Sequence, residues 1–124
     1  MLKKKLGLEG IETIYPSYYY LKVPSTLIIP EGCVDIGSRV FKGCRWLEKV
    51  VIPKSVKRIG NEAFCDCHRL KKVEIPEGVE EIWDGAFWGC EEATITLRKP
   101  KKDFAKIGVR AFYGVRKVKE EIIY

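Results

Sequence analysis

Lys54-Ser55-Val56-Lys57-Arg58-Ile59-Gly60-Asn61-Glu62-Ala63-Phe64-Cys65-Asp66-Cys67-His68-Arg69-Leu70-Lys71-Lys72-Val73-Glu74-Ile75-Pro76 is a unit of 23 residues. A step of 23 along the chain returns the same residue types: Pro30, Pro53 and Pro76; Ile36, Ile59 and Ile82; Phe41, Phe64 and Phe87; Cys44, Cys67 and Cys90. Several residue types sharing one period mark an internal repeat, and one such unit cannot bury its apolar side alone. Stacked copies can, placing Ile on Ile and Phe on Phe.

Within the unit, Val73-Glu74-Ile75 alternates apolar and polar, the period of a strand with one buried face. Pro76 closes it by removing a backbone donor. Val56, Ile59 and Gly60 make a second extended segment, with Gly37, Gly60 and Gly108 expected at a bend or in a left-handed conformation. Ala63-Phe64 suits a single helical turn. The strands are expected to form one short parallel sheet along a side of the solenoid, at ~4.8 Å per strand.

The pattern continues outward with defects. Ile107-Gly108 and Ala111-Phe112 repeat the Ile-Gly and Ala-Phe steps, but Ile82 to Ile107 is 25 residues, and one residue is missing near Ala93. Ile11 and Ile14 mimic Val56 and Ile59, and Tyr15 with Tyr18-Tyr19-Tyr20 is expected to cap the first coil. The strand series reads Leu27-Ile28-Ile29, Val50-Val51-Ile52, Val73-Glu74-Ile75, Ile95-Thr96-Leu97 and Ile122-Ile123-Tyr124. The chain is therefore expected to be one domain, 1–124, of about five stacked coils: 8–30, 31–53, 54–76, 77–98 and 99–124. Atypical outer coils are the rule in solenoids.

These residues resemble the BspA-type leucine-rich repeat family. Its unit runs as Ile-Pro, Val-x-x-Ile-Gly, Ala-Phe-x-x-Cys and Leu-x-x-Val-x-Ile-Pro. It is matched here by Ile52-Pro53, Val56 to Gly60, Ala63 to Cys67 and Leu70 to Pro76. Trp83 stands where that unit has glycine. The resemblance implies a β-rich leucine-rich-repeat solenoid. It also implies a role in adhesion or protein interaction, as in many bacterial surface proteins and some protist proteins.

Composition excludes some classes. With 46% hydrophobic and 32% charged residues the chain is neither disordered nor fibrous. No run of about 18 apolar residues exists, so no membrane span is expected. Met1-Leu2-Lys3-Lys4-Lys5 resembles the start of a signal peptide, but Gly7, Glu9, Gly10 and Glu12 interrupt the apolar run that such a peptide needs next. A cytoplasmic protein is expected, or a secreted or surface one if an export signal has been removed. Five cysteines cannot all pair within one chain, which suits a reducing compartment.

Nothing in the sequence matches a catalytic motif, and the chain is read as a non-catalytic module without cofactor. Cys65-x-Cys67-His68 offers fewer ligands than the four zinc takes, and Cys67 is accounted for by the core ladder, so no metal is expected.

Two candidate surfaces remain. The first is the outward sheet face, with Ile28, Lys49, Val51, Lys72, Glu74, Thr94 and Thr96 expected to contact a partner, Thr26 lying alongside; solenoids bind across such faces. The competing reading is a plain solvated sheet. The second is an aromatic and basic set, Trp83, Trp88, Tyr113, Arg98, Lys101 and Lys102. Tryptophan and tyrosine favour binding hot spots, and large rings also shield the turns of a small solenoid.

The net charge of +6 favours acidic partners. Residues 77–92 carry six acids and no base, and residues 98–119 nine bases and one acid, which suits a polar protein partner or self-association. A protein partner is therefore expected. The alternative is a basic nucleic-acid binder, or an inhibitor of a nucleic-acid-handling enzyme, although no nucleic-acid motif is present. An open edge at Ile122-Ile123-Tyr124 is expected to pair with a second copy as a homodimer.

Overall fold

The computed structural model describes residues 25–122. Each repeat contributes two strands: β1 (Thr26–Ile28), β2 (Asp35–Ile36), β3 (Lys49–Val51), β4 (Arg58–Ile59), β5 (Lys72–Ile75), β6 (Glu81–Ile82), β7 (Thr94–Leu97), β8 (Lys106–Ile107) and β9 (Lys117–Glu120). Odd strands form one sheet in the order β1-β3-β5-β7-β9, and even strands a second in the order β2-β4-β6-β8. All pairs are parallel, and the register joins equivalent repeat positions, such as Val50 with Val73 and Ile59 with Ile82. The expected solenoid is therefore what forms, with two sheets where one was expected: the Ile-Gly segments pair as well. Of the expected first coil, only residues 25–30 are described, β1 among them. Ile11, Ile14, Tyr15 and Tyr18 to Tyr20 lie outside the described residues.

The core is the stack of inward positions. Ile36, Ile59 and Ile82 are fully buried, as are Leu47, Leu70 and the three central phenylalanines. The rings of Phe41, Phe64, Phe87 and Phe112 stack with centroids 5.4, 5.2 and 6.1 Å apart. Burying one such side chain is worth roughly 1.5–3 kcal/mol, so the ladder is a large share of what holds the coils together. Trp46, outside the ladders in sequence, packs against this core.

The cysteine ladder does more than fill space. The thiol of Cys67 donates to the Phe41 carbonyl at 3.1 Å, and that of Cys90 to the Phe64 carbonyl at 3.0 Å. Each bond satisfies a buried acceptor of the preceding coil.

Over the Ala-Phe step the expected helical turn is replaced by a run of tight turns. The reason lies in where the backbone donors go. Phe41, Phe64 and Phe87 N–H donate to the carbonyls of Ala63, Ala86 and Ala111 in the next coil, at 2.8–2.9 Å. Residues two to either side do the same, as in Glu62 to Asp84 and Asp66 to Trp88. Aligning all three donors along the solenoid axis needs alternating handedness, and Glu62 and Asp66 adopt φ of 53° and 59°. A helix would turn those donors back into its own coil. The one helical segment among the described residues is a 3-10 turn at Lys101–Asp103.

Of the two expected alternatives for Gly60, a bend or a left-handed conformation, the left-handed one does not occur. Close approach explains it: a Cβ there would lie 2.9 Å from both the Ile36 carbonyl oxygen and the Ser38 amide nitrogen. Asn61 and Asp84 bind the turns laterally, Asn61 Oδ1 accepting from Asp84 N–H at 3.1 Å and Asp84 Oδ1 from Val109 N–H at 3.0 Å.

The last strand is β9 at Lys117–Glu120, not Ile122 to Tyr124. Lys117 pairs with Thr94 and Val118 with Ile95. Three residues are gained between β7 and β8, around the 3-10 turn, and two are lost between Val115 and Lys117. Ile122 lies beyond the strand, and the two residues after it are outside the described part. No helix among the described residues is long and apolar enough to cross a membrane.

Candidate functional site

Alternation along each odd strand sends every second side chain out of the five-stranded sheet. Pairing then sets these residues in two rows running along the solenoid. Thr26, Lys49, Lys72, Thr94 and Lys117 form the first row. Ile28, Val51, Glu74, Thr96 and Lys119 form the second. From β3 to β9 these residues line an open groove of about 1440 Å³, together with residues such as Lys71, Glu77, Glu92 and Arg116. All seven residues expected on this face are brought together on it. Lys117 and Lys119 also belong to it but were missed, because the sequence placed the last strand four residues late. The two-residue step from Val115, which aligns with Cys90, was the signal that would have found them.

The rows differ in charge compensation. In the second row, Arg98 Nη2 donates to Glu74 Oε1 at 2.7 Å and its Nη1 to Glu121 Oε1 at 3.2 Å, while Lys119 Nζ lies 2.7 Å from Glu121 Oε2. The bond to Glu74 raises the Arg98 pKa, and the bond from Lys119 holds the Glu121 carboxyl below its ordinary value. Arg98 thus ties β5, its own coil and the end of β9 together, and its charge is spent inside the chain. In the first row Lys49, Lys72 and Lys117 have no ion-pair partner among the described residues. Beside them, Ile28 is 66% exposed and Val51 40%.

The aromatic and basic set is not assembled into one site. Trp83 adjoins β6, on the other sheet; its Nε1 donates to Glu81 at 2.8 Å, with Lys106 Nζ 3.9 Å from the ring centroid and Arg58 at 5.9 Å. Trp88 and Tyr113 meet edge to face at 6.3 Å on the turn wall, with Arg110 over Trp88 at 5.2 Å. Lys101 and Lys102 are exposed on the 3-10 turn, where Lys101 N–H donates to Glu120 at 3.0 Å. These aromatics therefore cover turns and hold cations of their own chain, and none stands on the five-stranded sheet.

Burial raises the Cys65 thiol to about 11, and the contact with Cys90 together with burial pushes Cys67 up further. Neither is a thiolate near neutral pH. His68 is exposed, its Nδ1 2.8 Å from Glu91. Among the described residues no group of three or more His, Cys, Asp or Glu could hold a metal ion. β9 carries Lys117 and Lys119, lysines being a composition that discourages pairing where a strand lies at a sheet edge.

The model of the BspA type leucine-rich repeat region, in six copies, matches residues 34–124. Among solved structures the chain is similar to a leucine-rich repeat protein from Bacteroides ovatus, with 37% identity and a TM-score of 0.63 over 72% of this chain and 22% of that one. It is similar to the T. pallidum leucine-rich repeat protein at 26% identity and TM-score 0.61, over 73% of this chain and 54% of that one. A leucine-rich cell surface protein from Faecalibacterium prausnitzii shares the fold, at 20% identity and TM-score 0.54, over 78% of this chain and 32% of that one. The chain thus spans between 22% and 54% of the length of these proteins. No curated protein matches it in sequence.

Proposed function

The chain belongs to the BspA-type leucine-rich repeat family, and on that premise we propose that it is a protein-binding module without catalysis, engaging its partner across the outward face of the five-stranded sheet. The observation that carries this is the contrast in charge pairing between that face and the turn wall. On the turn wall, Arg39 and Lys42 are both bonded to Glu62, and Asn61 and Asp84 to neighbouring turns. On the sheet face, exposed Ile28 and Val51 stand side by side across β1 and β3, and Lys49, Lys72 and Lys117 have no ion-pair partner among the described residues. The raised thiols of Cys65 and Cys67 support binding rather than chemistry, and five buried cysteines, an odd number, suit a reducing, cytoplasmic setting.

The test compares variants of one face with variants of another. Val51→Arg and Thr96→Arg are expected to abolish capture of the partner from the native host, while Val109→Arg and Tyr113→Arg leave it intact. The reverse pattern would move the site to the turn wall. A nucleic-acid ligand is the second reading, favoured by the same lysine row. It requires binding of an oligonucleotide that weakens steeply as salt rises.

A further inference from the structure

We infer that the ligand of this face is an extended acidic peptide segment lying across the strands, with acids at alternate positions and an apolar side chain at its β1–β3 end. The inference rests on the sheet face being the binding surface, and it adds the chemistry of the partner.

The lysine row gives the charge. Lys49 and Lys72 are direct cross-strand neighbours, and like charges so placed repel. Nothing among the described residues neutralises them, whereas an acid laid over the row removes the repulsion.

Spacing gives the conformation. From Lys49 on β3 to Lys117 on β9 is three strand steps, about 14 Å. In an extended segment alternate side chains share one face at about 7 Å, so acids at i, i+2 and i+4 span about 14 Å. Three acids thus meet three lysines on flexible stems. The exposed Ile28 and Val51, one row over at the same end as Lys49, provide an apolar seat.

The surroundings argue against a uniform polyanion. The groove lining is of mixed charge, Glu77, Glu91 and Glu92 standing among Lys71 and Arg116, which does not match a continuous phosphate backbone. Among the described residues the face offers no aromatic ring, and sequence-tolerant binding of single strands depends on such stacking.

Fluorescence anisotropy with three labelled probes tests this. They are a nonapeptide with glutamate at three alternate positions and leucine at one end, the same peptide with glutamine for glutamate, and a dT12 oligonucleotide. The acidic peptide is expected to bind about tenfold or more tighter than the glutamine peptide. Its binding should weaken as salt rises from about 50 to about 500 mM. Lys49→Glu with Lys72→Glu should lower its affinity about tenfold or more. Lys101→Glu with Lys102→Glu, the same charge change off the face, should leave affinity within about twofold. The single variant Lys72→Gln, with the thermal midpoint unchanged, guards against misfolding and should show a smaller loss of the same sign.

Equal binding of the two peptides would overturn the inference. So would an equal loss from the Lys101–Lys102 variant, since net charge alone would then be acting. Tighter binding of dT12, released by the Lys49–Lys72 variant, would replace the peptide with a nucleic acid. If Val51→Arg still abolishes capture while the acidic peptide fails to bind, this inference falls and the sheet face stands as the binding surface.

Discussion

Along the outward row of the four-stranded sheet the charges alternate: Asp35, Arg58, Glu81 and Lys106 stand side by side across β2, β4, β6 and β8. Arg58 Nε lies 3.6 Å from Asp35 Oδ1, and Lys106 and Arg58 also sit over the Trp83 ring. Along the first row of the five-stranded sheet the charges repeat: Lys49 and Lys72 adjoin, and Lys117 stands beyond Thr94. Both rows rest on the same kind of ladder and the same repeat. One is arranged so that the chain satisfies itself, and the other leaves charge over. A surface that leaves like charges side by side is the one expected to meet a partner. Glu81 of the acidic 77–92 segment and Lys106 of the basic 98–119 segment are register neighbours within one chain.

Phe64→Ala removes what both sheets share and carries the largest expected effect. It opens the centre of the ring stack and should cost about 3–5 kcal/mol, read as a fall in the denaturant midpoint. If stability is barely changed, the core is not the common support of the two faces.

Glu81→Lys sets a lysine between Arg58 and Lys106, so the alternating row takes on the like-charge pattern of the other sheet. It also removes the acceptor of Trp83 Nε1. A loss of about 1–2 kcal/mol is expected, combining the two like-charge contacts and the lost bond. An unchanged thermal midpoint would mean that the alternation is decorative.

Lys72→Glu makes the mirror change, turning a repeating row into an alternating one. It should stabilise the protein by a few tenths of a kcal/mol, within about 0.2–1, while weakening ligand capture. A clear destabilisation would show that the lysine row serves the fold.

The smallest effect is a pH dependence on the self-satisfied turn wall. The bonds from Arg39 and then Lys42, at 2.8 and 3.1 Å, hold the Glu62 carboxyl below its ordinary value of 4.5. The unfolded chain therefore takes up this proton more readily than the folded one. The contribution of Glu62 is complete above about pH 4.5 and fades as pH falls through the lower folded value. The midpoints of the wild type and Glu62→Gln should differ at about pH 6 and converge near pH 3. A gap that persists in acid would assign the role of Glu62 to packing.

The period of 23, the inward isoleucines, phenylalanines and cysteines, and the β-rich stacked architecture were all legible in the sequence. Each depends only on which residue type recurs at which step, because equivalent positions in a solenoid touch each other. The seven residues expected on the sheet face were legible for the same reason: strand alternation sends them outward once the inward set is known. What the sequence left open was set by groups far apart in the chain. Backbone donors aimed at the next coil decided against a helix at the Ala-Phe step. The shortened turn after Val115 brought Lys117 and Lys119 onto the face and left Ile122 beyond it. The positions of Glu74 and Glu121 decided that Arg98 is a clasp and not a free contact. Sequence alone thus determined which residues repeat and which point inward. Only the tertiary structure decided which outward charges are already paired, because pairing depends on distances between coils, which a list of residues does not contain.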